Sequence, residues 1–250
     1  MTSADREIRR IHSEINNMIR CSYLEQTLTR PEIPSFFVQV LYYMMRSCSQ
    51  PKERIHLYCV ATCLVKMGLD IHETVSNEKE IGGQGMRSRQ LSVLAGDYLS
   101  SLFYEKLADE GEVKGITRLS KAVCDVNEAK MGLYAMGGQR EVSWSAYIQL
   151  AMRVQGGLLA ALARFFCEEE ARDSWEPLCG YLMLLHSWEA VSPERMSPWG
   201  SVPMNRVRSL AAETLQLARN IRPLEVRHDL LELIQNYVSS PLKEALVREG

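Results

Sequence analysis

LDIHETVSNEKEIGGQGMRSRQLSVLAGDYL, residues 69–99, is the stretch on which the reading of the whole chain turns. It holds a helix end, a loop at Gly82-Gly83-Gln84-Gly85 and the start of a second helix. From Leu91 onward, Leu91, Leu94, Ala95, Tyr98, Leu99, Leu102, Phe103 and Leu107 recur at spacings of three and four, which puts them along one helix side. The outline is that of a metal-binding helix–loop–helix. Its chemistry is thin, because the run Glu73-Thr74-Val75-Ser76-Asn77 carries a single carboxylate. The glycine loop lacks the preceding strand and following lysine of a phosphate-binding loop.

Working outward, the same helical period continues. Val123, Val126, Ala129, Lys130 and Leu133 carry it into the next segment, and Ile55 to Val75 is apolar on nearly all sides, as a central helix would be. Tyr147 to Cys167 and Pro177 to Trp188 read similarly, with Gly157 and Gly180 allowing close helix approach. Pro31, Pro34 and Pro51 separate the early helices, and Gly137-Gly138 ends another before Ser143. Two further helices are expected near Asn205 to Asn220 and Pro223 to Ser239. The longest irregular stretch, Val191 to Pro203, carries three prolines. No strand-and-turn rhythm and no internal repeat interrupts the pattern. The expected fold is all-α: one domain over 1–250, with N-terminal helices in 1–50 and the main bundle over 55–239.

Bulk properties narrow the function classes. The 250 residues are 46% hydrophobic and 24% charged, with a formal net charge of −2. That balance does not suggest a nucleic-acid surface, which shows clustered positive charge. The start, MTSADREIRRIHSEINN, is charged and has no secretory apolar core. No segment approaches the roughly 18 uninterrupted apolar residues of a membrane span, so the expected location is the cytoplasm. Cys21, Cys48, Cys59, Cys63, Cys124, Cys167 and Cys179 are expected to be reduced, buried small hydrophobes. His56, Cys59 and Cys63 share helical spacing. They lack the paired short-spaced ligands of structural zinc, so core packing is the better reading.

The run Arg89-Gln90-Leu91-Ser92-Val93-Leu94-Ala95-Gly96-Asp97-Tyr98, followed by Val126-Asn127-Glu128-Ala129-Lys130-Met131, is similar to the trans-prenyl diphosphate synthases. Across roughly Ile55 to Ser239, the chain most resembles the small component of two-component heptaprenyl diphosphate synthases. The resemblance implies an isoprenoid-synthase-like helical bundle. In active members, two aspartate-rich motifs on facing helices hold Mg²⁺ against the diphosphate leaving group. By that resemblance, the first motif falls on Glu73, Thr74 and Asn77, and the second on Ser187, Trp188 and Val191. The family's Lys-Thr pair becomes Val154-Gln155, and its downstream arginine pair would fall near Ile81-Gly82-Gly83, which carry no charge. The charge stabilisation that the reaction needs therefore has no source in this chain.

The resemblance accordingly implies a non-catalytic regulatory subunit with no metal or cofactor of its own. Its expected partner is a large catalytic prenyl synthase subunit that binds Mg²⁺ and extends farnesyl diphosphate with isopentenyl units for a menaquinone side chain. A prenyl chain is a further candidate ligand. Family members pair through the helices after the first motif, which places the interface on Leu91 to Leu107 and Thr117 to Tyr134, with Tyr98, Leu102 and Tyr134 as candidate anchors. Two other readings stand beside this one: an active Mg²⁺-dependent terpene or prenyl synthase with unusual ligands, and a helical lipid-binding scaffold.

Overall fold

A computed structural model of the chain describes residues 2–20, 31–75, 83–137, 142–190 and 204–237. Among the described residues all regular structure is helical, as the periodicity predicts. The elements are α1 (Ser3–Met18), α2 (Ser35–Ser47), α3 (Lys52–Glu73), α4 (Gly83–Asp109), α5 (Val113–Met136), α6 (Trp144–Phe166), α7 (Glu169–Ala190), α8 (Met204–Arg219) and α9 (Leu224–Tyr237). They gather into two compact units: residues 1–42 with 51–116, and residues 43–50 with 117–250.

In the first unit, α1 starts on a capping box. Thr2 Oγ1 accepts from the Asp5 N–H at 3.1 Å, and the Asp5 carboxylate accepts from the Thr2 N–H at 2.7 Å. Ile11 and Ile15 of α1 are fully buried. Helix α3 is buried nearly all round, from Ile55 through Leu69, which is why its sequence shows so little amphipathic contrast. Packing of α3 on α4 is close because Gly68 faces Ser100 and the Gly96 carbonyl. Helix α4 begins at Gly83, so the expected loop at Gly82 to Gly85 is largely a first helical turn. Free N–H groups are normal in a first turn, which makes glycine tolerable there. Between α4 and α5, Gly111 takes a left-handed φ of 68°. This places Glu112 where Arg54 grips it with two bonds, at 2.7 and 3.0 Å, and Tyr58 Oη donates to it at 2.8 Å. Burial and the adjacent Glu112 push the Tyr58 phenol up.

A second polar knot joins Glu14 to Lys106 at 2.7 Å and to His56 at 2.6 Å. Burial raises the Glu14 pKa, but these bonds outweigh it and leave the carboxyl below its ordinary value. Two residues earlier, half-buried His12 is lowered by desolvation alone. The two shifts give a two-step pH profile. Unfolded His12 binds its proton near pH 6.5, above the folded pKa, so stability falls as pH drops below that value. Glu14 and Glu112 lose their contributions lower still, as pH falls from 4.5 through their depressed folded values. Urea midpoints measured from pH 8 to 3 should show both declines, and His12→Asn should remove the first while leaving the second.

In the second unit, α6 starts at Ser143, whose Oγ accepts from the Ala146 N–H at 3.1 Å. Helices α6 and α7 pack along their length and cross at Gly156 and Gly180; Gly157 lies against Val126 of α5. Pro177 sits within α7, where it removes one backbone donor. Trp175, Leu178, Cys179 and Leu182 are fully buried on the α7 core side. The C-terminal helices fall where the prolines and periodicity place them.

The cysteine expectation needs correction. Cys59, Cys63 and Cys179 are fully buried thiols, with burial pushing each up. Cys124 is exposed, and Cys48 and Cys167 form a disulfide across 119 residues of sequence. Spacing along the chain carries no signal for that pair, because tertiary packing brings the two together.

Candidate functional site

The first degenerate motif lies at the C-terminal end of α3. There the Thr74 hydroxyl donates to the Ile71 carbonyl at 2.7 Å, and the Thr74 and Val75 N–H groups bond back to Ile71 and His72. The Thr74 hydroxyl proton is thus committed to the end of its own helix. Glu73 is exposed beside it, and Asn77 lies outside the described residues. His72 Nε2 lies 3.5 Å from Asp97 Oδ1 of α4. A Cβ on Gly96 would fall 2.5 Å from that same ring nitrogen. The Gly96-Asp97 pair thus forms a seat for His72, a role the sequence reading missed even though both partners lie in its opening stretch. Gly96→Ala should push the His72 ring off Asp97. The ring can swing toward solvent, so the expected net change is under about 1 kcal/mol by denaturant titration.

The second motif lies at the C-terminal end of α7, and its hydroxyl behaves in the same way. Ser187 Oγ donates to the Leu184 carbonyl at 2.7 Å. Trp188, 5% exposed, packs 6.2 Å from Trp144, which also meets Tyr147 at 6.0 Å. The Arg206 guanidinium lies over the Trp144 ring at 5.9 Å. An aromatic cluster with its own cation thus occupies this helix end. Val191 lies outside the described residues. Val154 and Gln155 sit half-buried on α6.

Among the described residues, neither helix end offers a donor set that fits Mg²⁺, which takes about six oxygen ligands in near-octahedral geometry. Among the described residues, no group of three or more His, Cys, Asp or Glu side chains could hold a metal ion. Among the described residues, no helix is long and apolar enough to cross a membrane.

The exposed apolar surface is unevenly distributed. Helix α4 turns Ala95, Leu99, Phe103 and Leu107 into the core, and presents Met86, Val93, Leu94 and Tyr104 to solvent. Tyr98 and Leu102 are half-buried on the flank between these faces. On α5, Val113, Met131 and Tyr134 are exposed, Tyr134 by 72%. Among the described residues, Leu224 on α9 is the remaining exposed large hydrophobic side chain.

Solved structures similar to this chain include prenyl synthases. Geranylgeranyl pyrophosphate synthase from Lactobacillus brevis superposes with a TM-score of 0.70 at 9% identity, covering 94% of this chain and 96% of that one. Decaprenyl diphosphate synthase from Rhodobacter capsulatus gives 0.68 at 10% identity, over 94% and 97%. Heptaprenyl diphosphate synthase from Staphylococcus aureus gives 0.58 at 14% identity, over 98% and 87%. At such identities the likeness shows the fold. In sequence, heptaprenyl diphosphate synthase component 1 from Geobacillus stearothermophilus is 38% identical over 104 residues, 42% of this chain and 44% of that protein. The family described as heptaprenyl diphosphate synthase (HEPPP synthase) subunit 1 matches residues 21–225. On the strength of that match, which spans most of its length, the chain belongs to the heptaprenyl diphosphate synthase subunit 1 family.

Proposed function

We propose that this chain is the non-catalytic subunit of a heterodimeric prenyl diphosphate synthase. A large cytoplasmic partner with intact aspartate motifs and bound Mg²⁺ performs the chemistry. That partner extends farnesyl diphosphate with isopentenyl diphosphate to the heptaprenyl product used for menaquinone. This chain stabilises the active pair and helps set product length.

The observation that carries the proposal is the pairing of acid-poor helix ends with outward apolar faces. Thr74 and Ser187 turn onto their own helix carbonyls, and Trp188 is buried among aromatic rings. Meanwhile α4 and α5 each keep large apolar side chains in solvent. Exposing such side chains costs a lone chain solubility, and covering them with a partner recovers about 25 cal/mol for each Å² of apolar surface buried. The name component 1, borne by the Geobacillus relative, supports the existence of a second component.

The test mixes purified subunits. This chain alone, with Mg²⁺, farnesyl diphosphate and isopentenyl diphosphate, should release no diphosphate and form no prenyl product. Added to the large subunit, it should raise activity at least tenfold and fix the product length. Turnover by this chain alone would refute the non-catalytic reading. An unchanged rate and product distribution on mixing would refute the partnership.

A further inference from the structure

The second unit has a covalent feature that neither the family match nor the synthase reading uses. Cys48 follows the last residue of α2, and Cys167 caps the C-terminal end of α6, two residues before α7 begins. Their Cα atoms are 5.0 Å apart, within the usual disulfide range. Met44 lies under the pair, its Sδ 3.9 Å from Cys48 Sγ and 3.7 Å from Cys167 Sγ. The segment that carries Cys48 is peculiar in the chain. Residues 43–50 belong to the second unit, whereas the residues on both sides of them in sequence belong to the first. This short segment is held to the second unit by the disulfide and by the Arg46–Asp229 ion pair at 3.1 Å.

We propose that Cys48 and Cys167 are a reversible dithiol–disulfide couple that fastens or releases this segment according to the ambient thiol balance. Cys48 is the more exposed residue of the pair, half-buried where Cys167 is 7% exposed, so exchange enters at Cys48. In the oxidising direction, the Cys48 thiolate attacks a low-molecular-weight disulfide such as oxidised glutathione. One thiol is released and a mixed disulfide remains on Cys48. The Cys167 thiolate then attacks Cys48 Sγ and expels the second thiol. Two protein thiols lose two electrons and two protons, and the small disulfide is reduced to two thiols. A dithiol reductant runs the sequence backward, entering at Cys48.

Selectivity follows from the other described cysteines; Cys21 lies outside the described residues. Cys59, Cys63 and Cys179 are fully buried, with their thiols pushed up, so they present little thiolate. Cys124 is an exposed free thiol on α5, and its serine variant serves as the control. A cavity of about 690 Å³ within the second unit is lined by Ser47 and Glu168, one sequence neighbour of each cysteine, and by Trp175.

The experiment uses the full purified chain in graded reduced and oxidised glutathione buffers. Peptide mapping after alkylation should show Cys48 linked to Cys167 under oxidising conditions and both residues alkylated under reducing ones, while the chain stays folded by circular dichroism. The thermal midpoint should be several degrees higher in the oxidised state. Cys48→Ser and Cys167→Ser should each abolish that difference, and Cys124→Ser should preserve it. Absence of the linked peptide in oxidised wild type would overturn the proposal, whatever the variants do. So would a linkage that yields to reductant only after the chain unfolds, or a redox-dependent midpoint that persists in both serine variants.

Discussion

Gly156→Ala is expected to destabilise the protein by about 3 kcal/mol, a fall of about 6–12 °C in thermal midpoint for a chain of this size. Intrinsic helix propensity argues the other way, since alanine is better than glycine in a helix interior by about 1 kcal/mol. Contact geometry decides between them. A Cβ on Gly156 would lie 2.6 Å from the Gly180 Cα, 2.7 Å from the Cys179 carbonyl oxygen and 2.8 Å from the Gly180 N–H nitrogen. All three are backbone atoms of α7, and none can rotate out of the way. Relief requires α6 and α7 to separate along a contact that buries Leu159, Leu162, Leu178 and Leu182. Gly96 supplies the internal comparison, because its would-be clash is with the mobile end of the His72 side chain. The same substitution should therefore be nearly neutral at Gly96 and severe at Gly156. Circular dichroism melts of the two variants side by side would check this, and equal midpoints would refute the argument.

The contrast also shows what could be read from the sequence. Helices with one apolar side announce themselves: of the α4 residues in the apolar period, Ala95, Leu99, Phe103 and Leu107 reach the core, while Leu91, Tyr98 and Leu102 are half-buried and Leu94, expected on the same side, faces solvent. Pro51 and Ser143 marked helix starts, and Gly137 followed a helix end, because those residues act locally. Gly156 was another matter. Its neighbour Gly157 looks equivalent in sequence, yet Gly157 meets only a Val126 methyl at 3.0 Å, while Gly156 carries the backbone crossing. One residue is about 100° of helix rotation, and a sequence without a known partner helix does not fix that phase. The Cys48–Cys167 pair escaped for a related reason, since two residues 119 apart meet only once the helices have packed.

The degenerate motifs were partly legible. The resemblance alone sets Glu73 and Thr74 at positions where active synthases carry acids. Where the side chains point was not legible, and both Thr74 and Ser187 prove to be turned onto the carbonyl three residues back. Short hydroxyl side chains make that local bond readily at helix ends. The His72–Asp97 seat required knowing that α3 and α4 lie close at Gly68 and Gly96, a fact carried by small residues rather than by any charged pattern.

Leu94→Glu on α4 and Met131→Glu on α5 should each weaken association with the large subunit by about 30-fold or more, the size expected when an interface anchor worth about 2 kcal/mol is lost. The choice of residues follows from helix phase. Leu94 is 61% exposed and Met131 65% exposed, so neither contributes to the core and both variants should keep the parent's melting temperature. Tyr98 and Leu102 are weaker tests, because each is half-buried and its replacement would also disturb the packing of α4. Leu224, 66% exposed on α9, is the matched control: Leu224→Glu changes an equally exposed apolar side chain on a helix outside the proposed interface. Dissociation constants from titration calorimetry should rise for the α4 and α5 variants and stay unchanged for the α9 variant. Prenyl-transfer activity at limiting subunit concentration should fall in the same order. Equal weakening by Leu224→Glu would mean that general surface charge, not a specific face, governs the association. Unchanged affinity in both helix variants would move the partner surface away from α4 and α5 altogether.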